Sequence, residues 1–178
     1  MNHPSLFGLP VGLLVLLSAV AVERLTELWL SWKHARWAKS LGGLEFGRGH
    51  FPFMVAAHVG LFAGVLTEVA SGPRHFVPLV GGPALCVQVL VHAGRWWCVR
   101  SLGRHWNTRV IVVPGLPLVR RGPYRWFRHP NYLLVAVEGV TLPLVFTAWM
   151  TALLFTTANM AILTVRLRIE NVALRLAA

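Results

Sequence analysis

Long apolar runs separated by short polar stretches dominate the sequence. Apolar runs cover residues 6 or 11 to 32, 51–70 and 79–102, and an almost unbroken one covers 132–165. A helix needs about 20 residues to cross a bilayer, so each of the first three runs predicts one span. The last run is too long for one span and predicts a helical hairpin that turns near residues 146–151. The pattern predicts an all-α integral membrane protein with about five transmembrane helices.

The composition supports this class. Hydrophobic residues make up 56% of the chain and charged residues 13%, against about 25% in an ordinary soluble protein. The formal net charge of +11 is compatible with nucleic-acid binding. However, the basic residues lie in loops that flank apolar runs. This placement favours an anionic lipid bilayer as the partner, and no nucleic-acid partner is expected.

The distribution of basic residues predicts the orientation. The second loop contains Arg74 and the hairpin turn has no basic residue. Basic residues instead concentrate in the first loop, in the connection 100–128 and after the last helix; those of the first loop are Lys33, Arg36, Lys39 and Arg48. By the positive-inside rule, the N-terminus lies outside and the C-terminus in the cytoplasm, as expected for a bacterial inner-membrane protein.

Three charged residues interrupt the first apolar run. Glu23 and Glu27 lie one helical turn apart on the same face, with Arg24 beside them. Charges in a span usually face the interior of a helix bundle or mark a functional site. An ion pair at the end of the helix, in the interface, is a comparable alternative.

The polar segment 122–132 directly precedes the last apolar run. Gly122 and Pro123 predict a turn. Pro130 suits the first position of a helix, so the helix is expected to begin at His129–Pro130. The free amides of Asn131, Tyr132 and Leu133 would then favour a carboxylate or phosphate.

Basic and aromatic side chains accompany these amides. Arg125 and Arg128 supply donors, and Tyr124 and Trp126 supply flat faces. The segment therefore predicts a pocket for a ligand that is part anion and part ring. A basic, aromatic loop at the membrane interface is the alternative. Upstream, the apolar insert 110–113 predicts a strand-like or interfacial piece.

Several other chemistries lack their sequence signals. No Gly-x-x-x-x-Gly-Lys loop is present, and no Gly-x-Gly-x-x-Gly follows a strand. No His/Cys cluster has the spacing of metal ligands, so no metal is expected. A soluble dinucleotide-binding domain is excluded.

The segment 122–132, with Arg166 and Glu170 on the last helix, resembles the isoprenylcysteine carboxyl methyltransferase family. Further segments resemble its bacterial branch, which O-methylates alkylpyrones and alkylresorcinols made by type III polyketide synthases. These segments are Glu23–Leu28, Glu45-Phe46-Gly47 with His50, and 106–115 with Trp106-Asn107-Thr108 and Pro114-Gly115. The family often has a Glu-Glu pair where this chain has Glu170-Asn171.

The resemblance implies a membrane enzyme that uses S-adenosylmethionine and releases S-adenosylhomocysteine. It implies one membrane-embedded domain over 1–178, with a three-helix part over 1–102 and a cofactor-binding part over 103–178 whose pocket faces the cytoplasm. It assigns Arg166 to the positioning of the substrate. The cofactor residues carried over by position are Leu116, Pro117, Leu118, Val119, Tyr124, His129, Pro130, Asn131, Tyr132 and Glu170.

The resemblance predicts O-methylation of a lipophilic acceptor, such as an alkylresorcinol or alkylpyrone from a type III polyketide synthase pathway. Three alternatives remain. One is methylation of a prenylcysteine-like carboxylate. Another is an NADPH-dependent membrane reductase of the sterol type, which shares an Arg-His-Pro-x-Tyr stretch; the few residues after Glu170 disfavour it. The third is a non-enzymatic lipid-binding or scaffold protein, which leaves the polar cluster unexplained.

Overall fold

The computed structural model describes residues 5–6, 9–72 and 76–176, which form a mostly helical protein. Its helices are α1 (Val11–Ser40), α2 (Phe51–Ala70), α3 (Pro78–Leu102), α4 (Pro130–Leu144) and α5 (Trp149–Leu176). Short antiparallel ladders join β1 (Ser5–Leu6) to β2 (Leu9–Pro10) and β3 (Leu44–Phe46) to β4 (Val110–Val112). Single 3₁₀ turns cover Arg48–His50, Gly103–His105 and Gly122–Arg125. Arg74, one of the basic residues from which the membrane orientation is predicted, lies outside the described residues.

Two helical segments of the described chain are long and apolar enough to cross a membrane, Arg48–Ala70 and α5. By contrast, α1 carries three charged residues near its middle, and α4 has 15 residues, fewer than the roughly 20 that a perpendicular span needs. The mostly helical architecture is confirmed, whereas the five-span arrangement stays a prediction.

Helix α1 is longer than the sequence pattern predicted. The segment from Lys33 was expected to be a basic loop, but the helix continues to Ser40. Residues 33–40 contain no glycine or proline. The helix ends before Leu41, and Gly42 follows in the left-handed region with a φ of +79°. Basic side chains here pack on indole rings: the Arg36 guanidinium lies 4.4 Å from the Trp32 ring centroid.

The predicted hairpin between the last two helices is confirmed. Helix α4 ends at Leu144 and α5 begins at Trp149. Glu68 of α2 holds this turn, because its carboxylate accepts hydrogen bonds from the Met150 amide (3.2 Å) and the Thr151 amide (2.8 Å). A negative charge at a helix N-terminus is favourable. The hairpin brings residues 129–132 of α4 next to the end of α5.

The insert 110–113 forms a strand, which confirms the strand-like of its two predicted structures. Ile111 of β4 pairs with Glu45 of β3, which ties the loop after α1 to the connection after α3. Glu45 receives contacts from Lys39 (2.9 Å) and Arg109 (3.1 Å). Burial raises the pKa of Glu45. Hydrogen bonds from these two cations outweigh that effect and bring the pKa below its ordinary value.

A network of charged side chains lies between α1, α3 and α4. Its centre is the bidentate pair of Arg95 and Glu27, with nitrogen–oxygen distances of 2.7 to 3.1 Å. The residues of this buried charge network are Glu23, Arg24, Glu27, His92, Arg95 and Glu138. Glu23, Arg24 and Glu27 of α1 therefore face the bundle interior, and the alternative of an ion pair at the end of the helix, in the interface, is wrong.

Candidate active site

The candidate site is built around the start of α4. Pro130 is the first residue of the helix and His129 its N-cap, as the sequence predicted. One of the three amides expected to be free is not free, because the Tyr132 amide donates to the His129 carbonyl at 3.2 Å. The first turn closes on itself there, which leaves fewer backbone donors for an anion than expected.

The Tyr132 hydroxyl joins the two charged residues of α5. It donates a hydrogen bond to Glu170 and accepts one from Arg166 Nε at 2.8 Å. The Arg166 guanidinium also lies 5.1 Å from the Tyr132 ring centroid. Arg166 and Glu170 are one turn apart on the same face of α5, so both side chains reach the hydroxyl of Tyr132. The resemblance assigns Arg166 to the substrate and Glu170 to the cofactor, whereas in this structure both side chains bind the Tyr132 hydroxyl.

His129 fills the opposite side of this cluster. Its ring stacks on Tyr132 with a centroid distance of 5.5 Å and an interplanar angle of 7°. Nδ1 lies 3.5 Å from Glu170 Oε1, and Nε2 lies 3.2 Å from Asn171 Oδ1. The hydrogen bond with Glu170 raises the pKa of His129. Both ring nitrogens face acceptors, an arrangement that suits an imidazolium, and Asn171 supplies one of them.

Tyr124 lies in the turn Gly122–Arg125. Burial raises the pKa of its hydroxyl, and the neighbouring Cys98 thiol adds to this effect. The charge of the Glu170 carboxylate contributes as well, which places Tyr124 near that group. Tyr124, His129, Pro130, Asn131, Tyr132, Arg166 and Glu170 are thus gathered where α4 begins and α5 ends.

The four remaining cofactor candidates lie on the irregular segment after β4. Leu116, Pro117 and Leu118 are exposed, and Val119 is half-buried. Within the described residues, no hydrogen bond ties this segment to Glu170. A role for these residues in the cofactor pocket stays a prediction taken from the resemblance.

Two residues that the sequence analysis did not assign to the site lie beside Arg166. The Met54 sulfur is 2.8 Å from Arg166 Nη1, although a thioether is only a weak acceptor. The His50 ring and the side chain of Ile169, the residue before Glu170, both lie against Gly47, so the charges of Arg166 and Glu170 act on the ring. The only sequence signal for His50 was its place after Glu45-Phe46-Gly47, and Met54 had none because it is one of many apolar residues on α2.

The arrangement combines an anion, a cation and three aromatic faces in one half-buried site. Glu170 can hold a cationic group, and Arg166 can hold an oxygen anion. The Asn131 Oδ1 atom is shielded from solvent and has no hydrogen-bond partner in the described chain. An unpaired buried acceptor of this kind is ready to receive a donor from a ligand.

Comparisons with known proteins show the family of the chain. The sequence model of the isoprenylcysteine carboxyl methyltransferase family matches residues 84–176, a range that includes Tyr124, His129, Tyr132, Arg166 and Glu170. The uncharacterised protein YpbQ of Bacillus subtilis (strain 168) is 35% identical over 164 residues, covering 90% of this chain and 95% of that protein. An uncharacterised protein of Haemophilus influenzae is 23% identical over 160 residues, covering 88% and 91%.

No solved structure matches the chain significantly. The family match nevertheless covers more than half of the chain and contains the site residues of α4 and α5, whereas His50 and Met54 precede the matched range. Proteins of this family are membrane-bound methyltransferases that use S-adenosylmethionine. The chain belongs to the isoprenylcysteine carboxyl methyltransferase family.

Proposed function

We propose that this protein transfers a methyl group from S-adenosylmethionine to an oxygen atom of a lipophilic acceptor. The acceptor that we favour is a phenol or pyrone enol on an alkyl chain, such as an alkylresorcinol or alkylpyrone from a type III polyketide synthase pathway. The observation that carries the proposal is the pair of opposite charges, Glu170 and Arg166, on one face of α5. Each suits one of the two reactants.

The cofactor side is formed by Glu170 and the rings around it. S-adenosylmethionine supplies an activated methyl group on a cationic sulfonium, and it also carries an ammonium group. The Glu170 carboxylate and the faces of Tyr124 and Tyr132 suit such cations. The unpartnered Asn131 oxygen suits a further N–H donor of the cofactor. The residues present therefore fit S-adenosylmethionine.

The acceptor side is formed by Arg166. Its Nη1 group faces the Met54 sulfur and so lacks a strong acceptor. A phenolate, an enolate or a carboxylate oxygen would provide one. Because a guanidinium favours the ionised form of a neighbouring acid, Arg166 would promote ionisation of a phenol. A prenylcysteine-like carboxylate fits the same position and is the alternative acceptor.

An apolar groove between α2 and α5 suits the acceptor's alkyl chain. It encloses about 250 Å³ and is lined by Ala57, Gly60, Leu61, Thr151, Leu154, Phe155 and Ala158. The two helices pack antiparallel, and Met54 contacts Arg166 at one end of their interface. The near end of this groove, at Ala158, lies about two helical turns from Arg166 along α5, a distance of about 12 Å.

The decisive experiment supplies purified protein with methyl-labelled S-adenosylmethionine and an alkylresorcinol, an alkylpyrone or a prenylcysteine. Label transfer to the first two acceptors supports the proposal, and transfer to prenylcysteine alone supports the carboxylate alternative. Calorimetric titration with S-adenosylhomocysteine and with NADPH is the control. Binding of NADPH without S-adenosylhomocysteine would indicate a reductase, and binding of neither would leave a lipid-binding protein.

Replacing Glu170 with glutamine should weaken S-adenosylhomocysteine binding without unfolding the protein. A hydrogen bond to a charged group contributes about 1.5 to 3 kcal/mol, so the dissociation constant should rise roughly 10- to 100-fold. Calorimetry measures the change. The control is Asn171→Ala, which removes only the contact with His129 Nε2 and should have a much smaller effect. Unchanged affinity in Glu170→Gln would exclude Glu170 from the cofactor pocket.

We also propose five spans, with the N-terminus outside and the pocket on the cytoplasmic side of a bacterial inner membrane. The basic end of α1 and the tail after Arg166 then share the cytoplasmic side. Single cysteines introduced at Lys39 and at Arg74 should react with a membrane-impermeant reagent from opposite sides of the membrane. Labelling of both from the same side would contradict this topology.

A further inference from the structure

His50 has a position that the structure does not otherwise explain. It ends the 3₁₀ turn Arg48–His50, immediately before α2. Both ring nitrogens are shielded from solvent, and neither has a well-formed hydrogen bond in the described part of the chain. Leaving a buried polar atom unpaired costs free energy, so such atoms in a native fold usually serve a ligand, a water molecule or a reaction.

The surroundings of the ring place it next to α5. A Cβ atom added to Gly47, whose φ is +62°, would lie 2.9 Å from His50 Nδ1 and 2.8 Å from the Ile169 methyl groups. Nδ1 therefore lies against the Gly47 backbone, next to the residue that precedes Glu170. The charged groups that the ring senses are Arg166 and Glu170 of α5. Nε2 is therefore the ring nitrogen that does not lie against Gly47, and it has no hydrogen-bond partner among the described residues.

The other candidate bases around Arg166 are already engaged. Glu170 accepts a hydrogen bond from the Tyr132 hydroxyl and faces His129. His129 faces an acceptor with each ring nitrogen, Glu170 with Nδ1 and Asn171 with Nε2. Tyr132 lies between Arg166 and Glu170. Among the described residues at this site, His50 is the imidazole with an unengaged nitrogen.

We propose that His50 is a catalytic residue that accepts the proton of the acceptor hydroxyl while Arg166 holds its oxygen. This inference rests on the proposed function with a phenol or enol acceptor. The O–H bond breaks, its electron pair stays on the oxygen, and the proton forms a bond to His50 Nε2. The imidazolium later returns the proton to water. A positioned base of this kind typically contributes about 100- to 10,000-fold to a rate.

The inference can be tested without cofactor. An alkylated nitrophenol, whose phenolate absorbs visible light, is titrated into the purified full-length protein at a pH where the free probe is neutral. In the wild type we expect a phenolate band without net proton release to solvent, because the proton moves to His50. Carbon-13 NMR of labelled histidine should show one ring becoming an imidazolium. His50→Gln should reduce the band about tenfold.

Turnover provides the second readout. With an alkylresorcinol at neutral pH, His50→Gln should lose about 100-fold in rate, whereas an alkylated nitrophenol that is already ionised should be methylated at a near-normal rate. Free imidazole should partly restore His50→Ala. The matched control is His105→Gln, which removes an exposed histidine packed on Trp37 and should behave like the wild type. Affinity for S-adenosylhomocysteine shows that each variant is folded.

Each outcome bears on the assignment. A full phenolate band in His50→Gln, accompanied by proton release, would mean that Arg166 ionises the acceptor alone, and the role of His50 would be wrong. Normal resorcinol turnover in His50→Gln would have the same meaning while leaving the proposed function intact. If the wild type binds no phenol and methylates only carboxylates, both proposals fail. If the variants do not fold, the NMR titration of the wild type decides.

Discussion

Arg166→Ala is expected to lower methyl transfer to a phenolic acceptor at neutral pH by about 100- to 1,000-fold, with little change in cofactor affinity. Removing one donor that stabilises an oxygen anion in an enzyme site typically has an effect of this size. A neutral phenol has a pKa near 10, by analogy with tyrosine, and is a poor nucleophile. Without the guanidinium, a smaller fraction of the bound acceptor is ionised.

The pH dependence separates this role from a structural one. The guanidinium lowers the pKa of the bound phenol, so its loss should matter most below the pKa of the free phenol and least above it. Raising the pH should therefore restore part of the turnover of Arg166→Ala. Initial rates with an alkylresorcinol between neutral and alkaline pH measure this effect.

Two controls sharpen the experiment. Arg168→Ala removes an exposed arginine two residues away on the same helix and should leave turnover unchanged. S-adenosylhomocysteine titration should show nearly normal affinity in Arg166→Ala, because Glu170 keeps its contact with His129. Near-normal turnover of Arg166→Ala at neutral pH would exclude Arg166 as the residue that holds the acceptor oxygen.

The features of the site that could be predicted from the sequence depend on residues close together in the chain. Pro130 marks the first residue of α4 because its ring suits that position, and the length of the last apolar run requires a turn. The one-turn spacing of Arg166 and Glu170 places them on one face of α5 without any knowledge of the fold. The family resemblance then indicated which neighbours to expect.

The parts that the sequence did not predict depend on contacts between distant segments. Tyr132 and Glu170 were each assigned to the pocket, but only the hairpin shows that the Tyr132 hydroxyl bridges Glu170 and Arg166. The pairing of β3 with β4 joins segments more than sixty residues apart. The extension of α1 to Ser40 was missed because the charge of residues 33–40 suggested a loop, although their helix propensity is good.

The partners within the buried charge network could not be read from the sequence either. Glu27 and Glu23 were seen as a pair on α1, but Arg95 is 68 residues away. The network lies deeper in the bundle than the site, since Arg95 is almost one turn before Cys98, which contacts Tyr124. It carries no group that the proposed reaction needs. We therefore assign it to the association of α1, α3 and α4.

Arg95→Met is consequently expected to be among the most destabilising single substitutions in the chain. Arg95 is 4% exposed, Glu27 3% and Glu138 2%, so the variant would leave two carboxylates buried with one cation fewer. Breaking a buried pair by removing one partner costs about 3 to 5 kcal/mol. Thermal and denaturant unfolding in detergent should show a correspondingly large loss of stability. Arg100→Met, at an exposed position on the same helix, should have almost no effect.

The double variant Glu27→Leu with Arg95→Met tests the cause. It removes one charge of each sign, and Arg24 keeps its contacts with Glu23 (3.3 Å) and Glu138 (3.8 Å). Replacing both members of a buried ion pair with apolar residues of similar volume is often neutral or stabilising. The double variant should therefore recover most of the stability lost in Arg95→Met. If the two substitutions are instead additive, the loss comes from packing, and the network does not act through the pairing of its charges.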